Sequence, residues 1–220
     1  MPKHVQACKK LMNSKKSPSL VYWLGNSLYL NITNRCSNKC YFCIRRFKDG
    51  IGSFKLKLDR EPSSNEVISE LQNVINMKNW SEIVFCGFGE PMERLDCILE
   101  ICRWIRRYYG KVTSVRIDTN GHGFLLNRGR EVVKELEEAG VDKISVSLNA
   151  HDEETYRQVC RPAFDDAFES ILEFIEKAKE VLTVEITAVT IPEVDMEKVM
   201  EIARKMGVKF RARRYISCFW

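Results

Sequence analysis

Apolar positions along the chain repeat by two in some stretches and by three to four in others, and the changes of period delimit the elements. Segments 82–86, 114–118, 143–148, 183–190 and 208–215 are short and β-rich and read as strands, all but the first alternating apolar with polar side chains. Stretches 94–109, 128–139, 153–181 (broken at Pro162) and 196–206 carry the helical period, as does a helix capped by Ser63 or Ser64 that runs to about 78. A first strand over 27–32 faces 21–24 across Gly25-Asn26, a two-residue hairpin turn, and residues 1–19 form a basic lead-in. Strands that alternate with helices imply right-handed crossovers and a parallel sheet. Six such strands are too few for a closed eight-stranded barrel, which takes about 250 residues. The expectation is an α/β fold, an open (β/α)6 partial TIM barrel with an N-terminal β-hairpin extension. It forms one domain over 1–220, with 1–26 as extension and hairpin arm, 27–215 as core and 216–220 as tail.

Strand parity says which side chains share a face. Leu28, Leu30 and Ile32 oppose Tyr29, Asn31 and Thr33; Val115 and Ile117 oppose Ser114, Arg116 and Asp118. Ile144, Val146 and Leu148 oppose Ser145, Ser147 and Asn149, and Val184, Ile186 and Ala188 oppose Glu185 and Thr187. In the last strand Val208, Phe210 and Ala212 oppose Lys209, Arg211 and Arg213. A parallel sheet covered by helices on both faces reads as near-continuous apolar runs, and this one does not. Helices need the apolar face, so the polar face lines a concave, wet, ligand-holding lumen. For Lys209, Arg211 and Arg213 an exposed basic edge is the competing reading. In the lumen, Asn31, Arg116, Asp118, Arg211 and Arg213 are candidate substrate contacts, because guanidinium groups suit a carboxylate or phosphate.

Composition narrows the class only a little. An apolar fraction of 45% and a charged fraction of 30% are those of an ordinary globular protein, and 220 residues bury about 70% of the unfolded surface. The net charge of +5 permits an anionic substrate or nucleic acid and demands neither. No apolar run is long enough for a bilayer span or a secretory leader, so the expected location is cytoplasmic, without membrane contact. In a reducing compartment nine cysteines, an odd number, point to metal or catalysis before disulfides.

The cysteines concentrate the chemistry. Cys36, Cys40 and Cys43 stand at C-x3-C-x2-C directly after the first strand. Three thiolates on one short loop can hold three irons of a cubane cluster and leave the fourth open; a zinc site is the alternative. The second strand ends in Gly87-Phe88-Gly89-Glu90-Pro91, where glycines let backbone approach a ligand closely, unless it is a plain turn before a helix. Chemistry in such folds gathers at the C-terminal strand ends, and all six strands deliver polar or turn-forming residues there. Cys97 and Cys102 read as small core residues on a helix, Cys86 as packing or a group beside the glycine turn, and Cys160 and Cys218 as loop residues.

With Phe42 just before the last cysteine and the G-x-G-E-P turn on the next strand, the chain resembles the radical S-adenosylmethionine (radical SAM) superfamily from about Leu28 to Arg214. The resemblance implies a [4Fe-4S] cluster on Cys36, Cys40 and Cys43, and S-adenosylmethionine (SAM) bound at its open iron. It places Phe42 near the adenine, Gly87, Gly89 and Glu90 at the methionyl end, Ser147 and Asn149 at the ribose, and Val189 and Ile191 against the adenine. Reductive cleavage of SAM would give a 5′-deoxyadenosyl radical that takes hydrogen from a substrate, with Cys160 and Cys218 as candidate catalytic hydrogen donors. A low-potential donor such as flavodoxin or ferredoxin would supply the electron, and residues 44–60 would form a lid. The substrate could be a small anion, a nucleotide or RNA, or a protein. Tyr29 to Cys36, Asp118-Thr119-Asn120-Gly121 and Ser147-Leu148-Asn149-Ala150 look most like the small TatD-associated radical SAM proteins, whereas D-T-N-G also occurs in glycyl-radical-enzyme activases. A structural metal- or redox-binding module is the non-enzyme alternative.

Overall fold

A computed structural model describes residues 17–110 and 113–215. Its main sheet has seven strands, β1 (Val21–Leu24), β2 (Ser27–Leu30), β5 (Glu82–Phe85), β6 (Ser114–Thr119), β7 (Lys143–Ser147), β8 (Thr183–Thr190) and β9 (Lys209–Arg214), in that spatial order. β1 pairs antiparallel with β2 around Gly25-Asn26, and the other five pairings are parallel. The six parallel strands and the hairpin arm are those expected, and β1 and β9 lie at the two ends of the open sheet.

Helices α1 (Ser64–Val74), α2 (Leu95–Tyr109), α4 (Val132–Ala139), α5 (Glu153–Cys160), α6 (Ala167–Ala178) and α7 (Met196–Lys205) connect the strands, and a one-turn α3 (Gly123–Leu126) follows β6. The α1 cap is Ser63: its hydroxyl accepts from Glu66 N and its own N–H donates to the Glu66 carboxylate, a reciprocal pair in which the serine contributes about 1 kcal/mol. Pro162 does break the stretch after β7, separating α5 from α6. The stretch after β6 departs from expectation. Residues 128–131 lie outside the helix, and α3 was not expected.

Leu28, Leu30, Ile83, Val115, Ile117, Val146 and Ile186 are fully buried with Leu71, Ile98, Leu136 and Phe174 from the helices, so the apolar parity set faces the helical layer. The last strand breaks the parity: Ala212 is exposed and Phe210 only half-buried. α7 precedes β9, and no described element follows it to cover that flank.

The lid expectation also needs correction. A short hairpin, β3 (Gly50–Ile51) and β4 (Phe54–Lys55), occupies the middle of 44–60, and Leu56 and Leu58 beyond it are buried. Asn34 holds Leu58 at both backbone atoms, at 2.7 and 2.9 Å, and Ser19 N donates to Lys55 O at 2.7 Å. These bonds build the second half of the loop into the fold. Among the described residues no helix is long and apolar enough to cross a membrane.

Candidate functional site

The cysteine loop leaves the end of β2 and is seated by its own polar residues. Asn31 is fully buried: its Nδ2 donates to Leu56 O (2.7 Å) and Ser19 O (3.0 Å), and its Oδ1 accepts from Phe88 N (2.9 Å). That side chain clamps three segments together and has no donor left for a substrate, so its expected role as a substrate contact is corrected to a structural one. The glycine turn after β5 lies directly against it. A Cβ on Gly87 would come within 2.7 Å of Asn31 Cα, and one on Gly89 within 2.7 Å of Thr33 O, so glycine is required at both positions. Glu90 N donates to Arg35 O at 2.7 Å. The Glu90 carboxylate points into the protein, where Met92 N (3.0 Å) and Thr119 Oγ1 (2.7 Å) donate to one oxygen and Asn120 N (2.6 Å) to the other. Burial pushes its pKa up to about 7, against those three donors. Glu90 therefore ties the turn to the end of β6, and what the turn offers a ligand is its backbone.

Beneath the loop lies a buried polar chain. Asn120 Nδ2 reaches Ser37 Oγ at 2.9 Å and Cys36 Sγ at 4.0 Å; Ser37 Oγ meets His122 Nδ1 at 2.8 Å; His122 Nε2 meets the Tyr156 hydroxyl at 2.9 Å; and Asn38 Nδ2 lies 2.8 Å from that hydroxyl. All five side chains are buried. Burial lowers the His122 pKa to about 4, so the ring is neutral. Ser37 accepts from Asn120, so its proton goes to Nδ1, and Nε2–H donates to Tyr156. The amide oxygen of Asn38 lacks a partner, and turning that amide over lets it accept the Tyr156 proton, which completes a one-directional chain. Ser37 and Asn38 lie between the first two cysteines, so this chain fixes the loop that carries them.

Cys36, Cys40 and Cys43 are half-buried. Burial pushes the Cys36 thiol up to about 12, whereas a bond from Cys160 holds the Cys40 thiol below its usual range. Cys160 is not on a loop: it is the last residue of α5, fully buried, and packed against Cys40. As a hydrogen donor it has no open approach to a substrate. Cys218 lies outside the described residues. Cys97 and Cys102 are core residues, as expected. Phe42 is half-buried and stacks edge-on with Tyr41, whose hydroxyl donates to Glu193 at 2.6 Å. No three His, Cys, Asp or Glu side chains among the described residues are gathered as for one metal ion. A cluster with separate irons asks only that three thiols share one loop, and this donor set fits it.

At the other strand ends Asn149 takes a left-handed φ of 55°, and its Oδ1 accepts from Val189 N (3.1 Å) and from Arg213 Nη2 (3.2 Å), which also donates to Ser147 Oγ (3.2 Å). Val189 and Ile191 are largely buried at the end of β8. Arg116 lies 3.4 Å from Glu82 and 3.1 Å from Asp118, and Arg211 pairs with Glu185 at 2.7 Å. Arg211 is thereby committed to a carboxylate of the chain itself. Arg213 has no carboxylate partner among the described residues, and burial lowers its pKa. Burial likewise raises that of Asp118. Among the described residues five buried side-chain atoms lack a hydrogen-bond partner, and four of them, Ser114 Oγ, Arg116 Nε, Asp118 Oδ1 and Arg213 Nε, belong to the polar parity set of β6 and β9; Arg116 Nε and Asp118 Oδ1 face each other as an ion pair.

His122, Tyr156, Ser37, Asn38 and Asn120 were not singled out from the sequence for this scaffold. The one available signal was His122, two residues past Asn120 at a strand end.

The chain is similar to several known proteins. Over 138 residues the chain is 34% identical to a GTP 3′,8-cyclase of Lactiplantibacillus plantarum, a match that covers 63% of this chain and 38% of the relative. A probable GTP 3′,8-cyclase of Thermococcus kodakarensis is 31% identical over 157 residues, 71% of this chain and 45% of the relative. The matches therefore span less than half the length of either relative. Among solved structures, the FeFe-hydrogenase maturase HydG of Carboxydothermus hydrogenoformans superposes with a TM-score of 0.61 at 18% identity, covering 97% of this chain and 49% of that one. Methylornithine synthase (PylB) gives 0.60 at 16%, covering 97% and 58%. At these identities the structures speak for the fold, a partial barrel. The radical SAM superfamily model matches residues 30–206, from the end of β2 through α7, and so takes in both the cysteine loop and the glycine turn. With that match over most of its length, the chain belongs to the radical SAM superfamily, enzymes that work with a [4Fe-4S] cluster and S-adenosylmethionine.

Proposed function

We propose that the chain uses SAM to abstract hydrogen from a polar, anionic substrate held on the concave face of the sheet. When bound, the cluster and SAM supply a one-electron reductive cleavage that yields methionine and a 5′-deoxyadenosyl radical. Cys36, Cys40 and Cys43 would hold the cluster, and the backbone at Gly87 and Gly89 would receive the methionyl end. Glu90 and Asn31 hold that turn in place from behind. Ser147 and Asn149 would face the ribose, Phe42 the adenine, and Val189 and Ile191 would shape the floor beside it. Residues 27–215 act as one catalytic unit.

The observation that carries the substrate reading is the Arg213 guanidinium, whose buried Nε has no hydrogen-bond partner and which forms no ion pair among the described residues. A buried polar atom without a partner costs about 1–3 kcal/mol, so a fold keeps one where a ligand completes it. Arg213 is the anchor, with the Arg116–Asp118 ion pair on the same face. The relatives' names make a nucleoside triphosphate the first candidate for the anion. Kinship with the TatD-associated proteins rests on the three strand-end motifs.

Anaerobic reconstitution tests the reading. The enzyme should take up a reducible four-iron cluster whose EPR signal changes on adding SAM, and should release 5′-deoxyadenosine on reduction. Bound zinc without SAM cleavage would leave the metal-binding module standing instead.

A further inference from the structure

Tyr41 lies just before Phe42, and Glu193 follows Ile191 and Pro192 on the loop from β8 to α7. The Tyr41 hydroxyl donates to Glu193 Oε2 at 2.6 Å, joining residues 152 positions apart. Among the described residues it is the one side-chain hydrogen bond between the two loops. Each end is anchored by its own segment. Tyr41 N donates to Val159 O in α5 at 3.2 Å, and the Tyr41 ring packs edge-on against Phe42 with centroids 5.5 Å apart. Val194 N donates to Ile191 O at 3.1 Å, a turn that buries Ile191 and Val194 and leaves Glu193 exposed.

Tyr41 is half-buried and its acceptor exposed, so the bond adds little to the stability of the fold. Its place is what marks it. The two residues flank the side chains that would face the adenine, Phe42 on one loop and Val189 and Ile191 on the other. An O–H···O bond of this length to a carboxylate is of the stronger kind. A ligand that enters between two loops binds more tightly when they already stand at its spacing, because ordering them on binding costs free energy.

We propose that Tyr41 and Glu193 are positioning residues for SAM, and that their bond presets the gap between the two loops for the adenine. The inference rests on the placement of the adenine between Phe42 and the Val189–Ile191 segment. The bond then serves the adenosyl half of SAM alone, since the methionyl end goes to the glycine turn.

The test compares SAM with free methionine, which has the same amino and carboxylate groups and no adenine. Binding of each to the cluster-loaded, oxidised chain is measured by anaerobic equilibrium dialysis. Tyr41→Phe, which keeps the ring, and Glu193→Ala should each weaken SAM about tenfold and leave methionine binding and iron content unchanged. Glu193→Gln still accepts the hydroxyl proton and should stay within about threefold of the parent chain. The double variant Tyr41→Phe with Glu193→Ala should lose no more than either single one, because both remove the same bond. Unchanged SAM affinity in Tyr41→Phe, equal weakening of methionine, or additive losses would overturn the proposal. Phe42→Ala separates the two levels. If it weakens SAM while Tyr41→Phe does not, the positioning bond fails alone; if neither variant does, the adenine placement fails with it.

Discussion

Two buried polar regions meet at the strand ends, and they are built in opposite ways. Under the cysteine loop, Asn120, Ser37, His122, Tyr156 and Asn38 form a chain in which both hydroxyls and both imidazole nitrogens are hydrogen-bonded. On the concave face Arg116 and Asp118 pair with each other at 3.1 Å, but Ser114 Oγ and Arg213 Nε are buried with no partner. A satisfied network rigidifies what it holds, whereas an unsatisfied one is tolerated where a ligand completes it. The first region is therefore a scaffold, and the second is the surface we propose to bind substrate.

The largest effect should come from the cysteine loop. Cys36→Ser, Cys40→Ser or Cys43→Ser should each abolish the four-iron signal and cut 5′-deoxyadenosine formation more than about 100-fold, while circular dichroism shows the fold retained. Breaking the scaffold should cost stability. His122→Phe takes one buried partner each from the Ser37 and Tyr156 hydroxyls, which keep Asn120 and Asn38, and we expect a loss of about 2 kcal/mol in denaturant unfolding, partly restored by His122→Gln.

The same histidine gives a pH signature. Its pKa is lowered from 6.5 to about 4 in the fold, so its stabilisation is complete above pH 6.5 and is lost as pH falls toward 4. The unfolded chain takes up the proton first, and the shift corresponds to about 3 kcal/mol. Urea midpoints measured across that window should fall in the parent chain, and His122→Gln should lose this contribution.

The two regions also differ in how far the sequence reveals them. Alternation along 114–119 and 143–147 exposes the polar face directly, because parity is a local property of each strand. It separated Arg116 and Asp118 from Val115 and Ile117 without any knowledge of the partner strands. The scaffold has no such signature. Ser37, His122 and Tyr156 are far apart in the chain, and only tertiary packing brings them within 3 Å. Asn31 failed as a substrate contact for the same reason: parity aims it correctly, but its partners Leu56 and Phe88 come from elsewhere in the chain. The 44–60 segment reads as a free loop because Asn34, which anchors its Leu58, lies 24 residues before that leucine. Parity failed at Ala212 because alternation does not tell an edge strand from a covered one.

The smallest expected effect is also the most diagnostic, because it should have the opposite sign. Arg213 is a half-buried cation with a buried, unpartnered Nε and no ion pair among the described residues, so exchanging it for an apolar side chain of similar length should not destabilise the fold. In denaturant unfolding without any ligand, Arg213→Met should match the parent chain or exceed it by about 1 kcal/mol, since function and not stability retains the charge. A loss comparable to that of His122→Phe would contradict the account, because the concave face would then be scaffold as well.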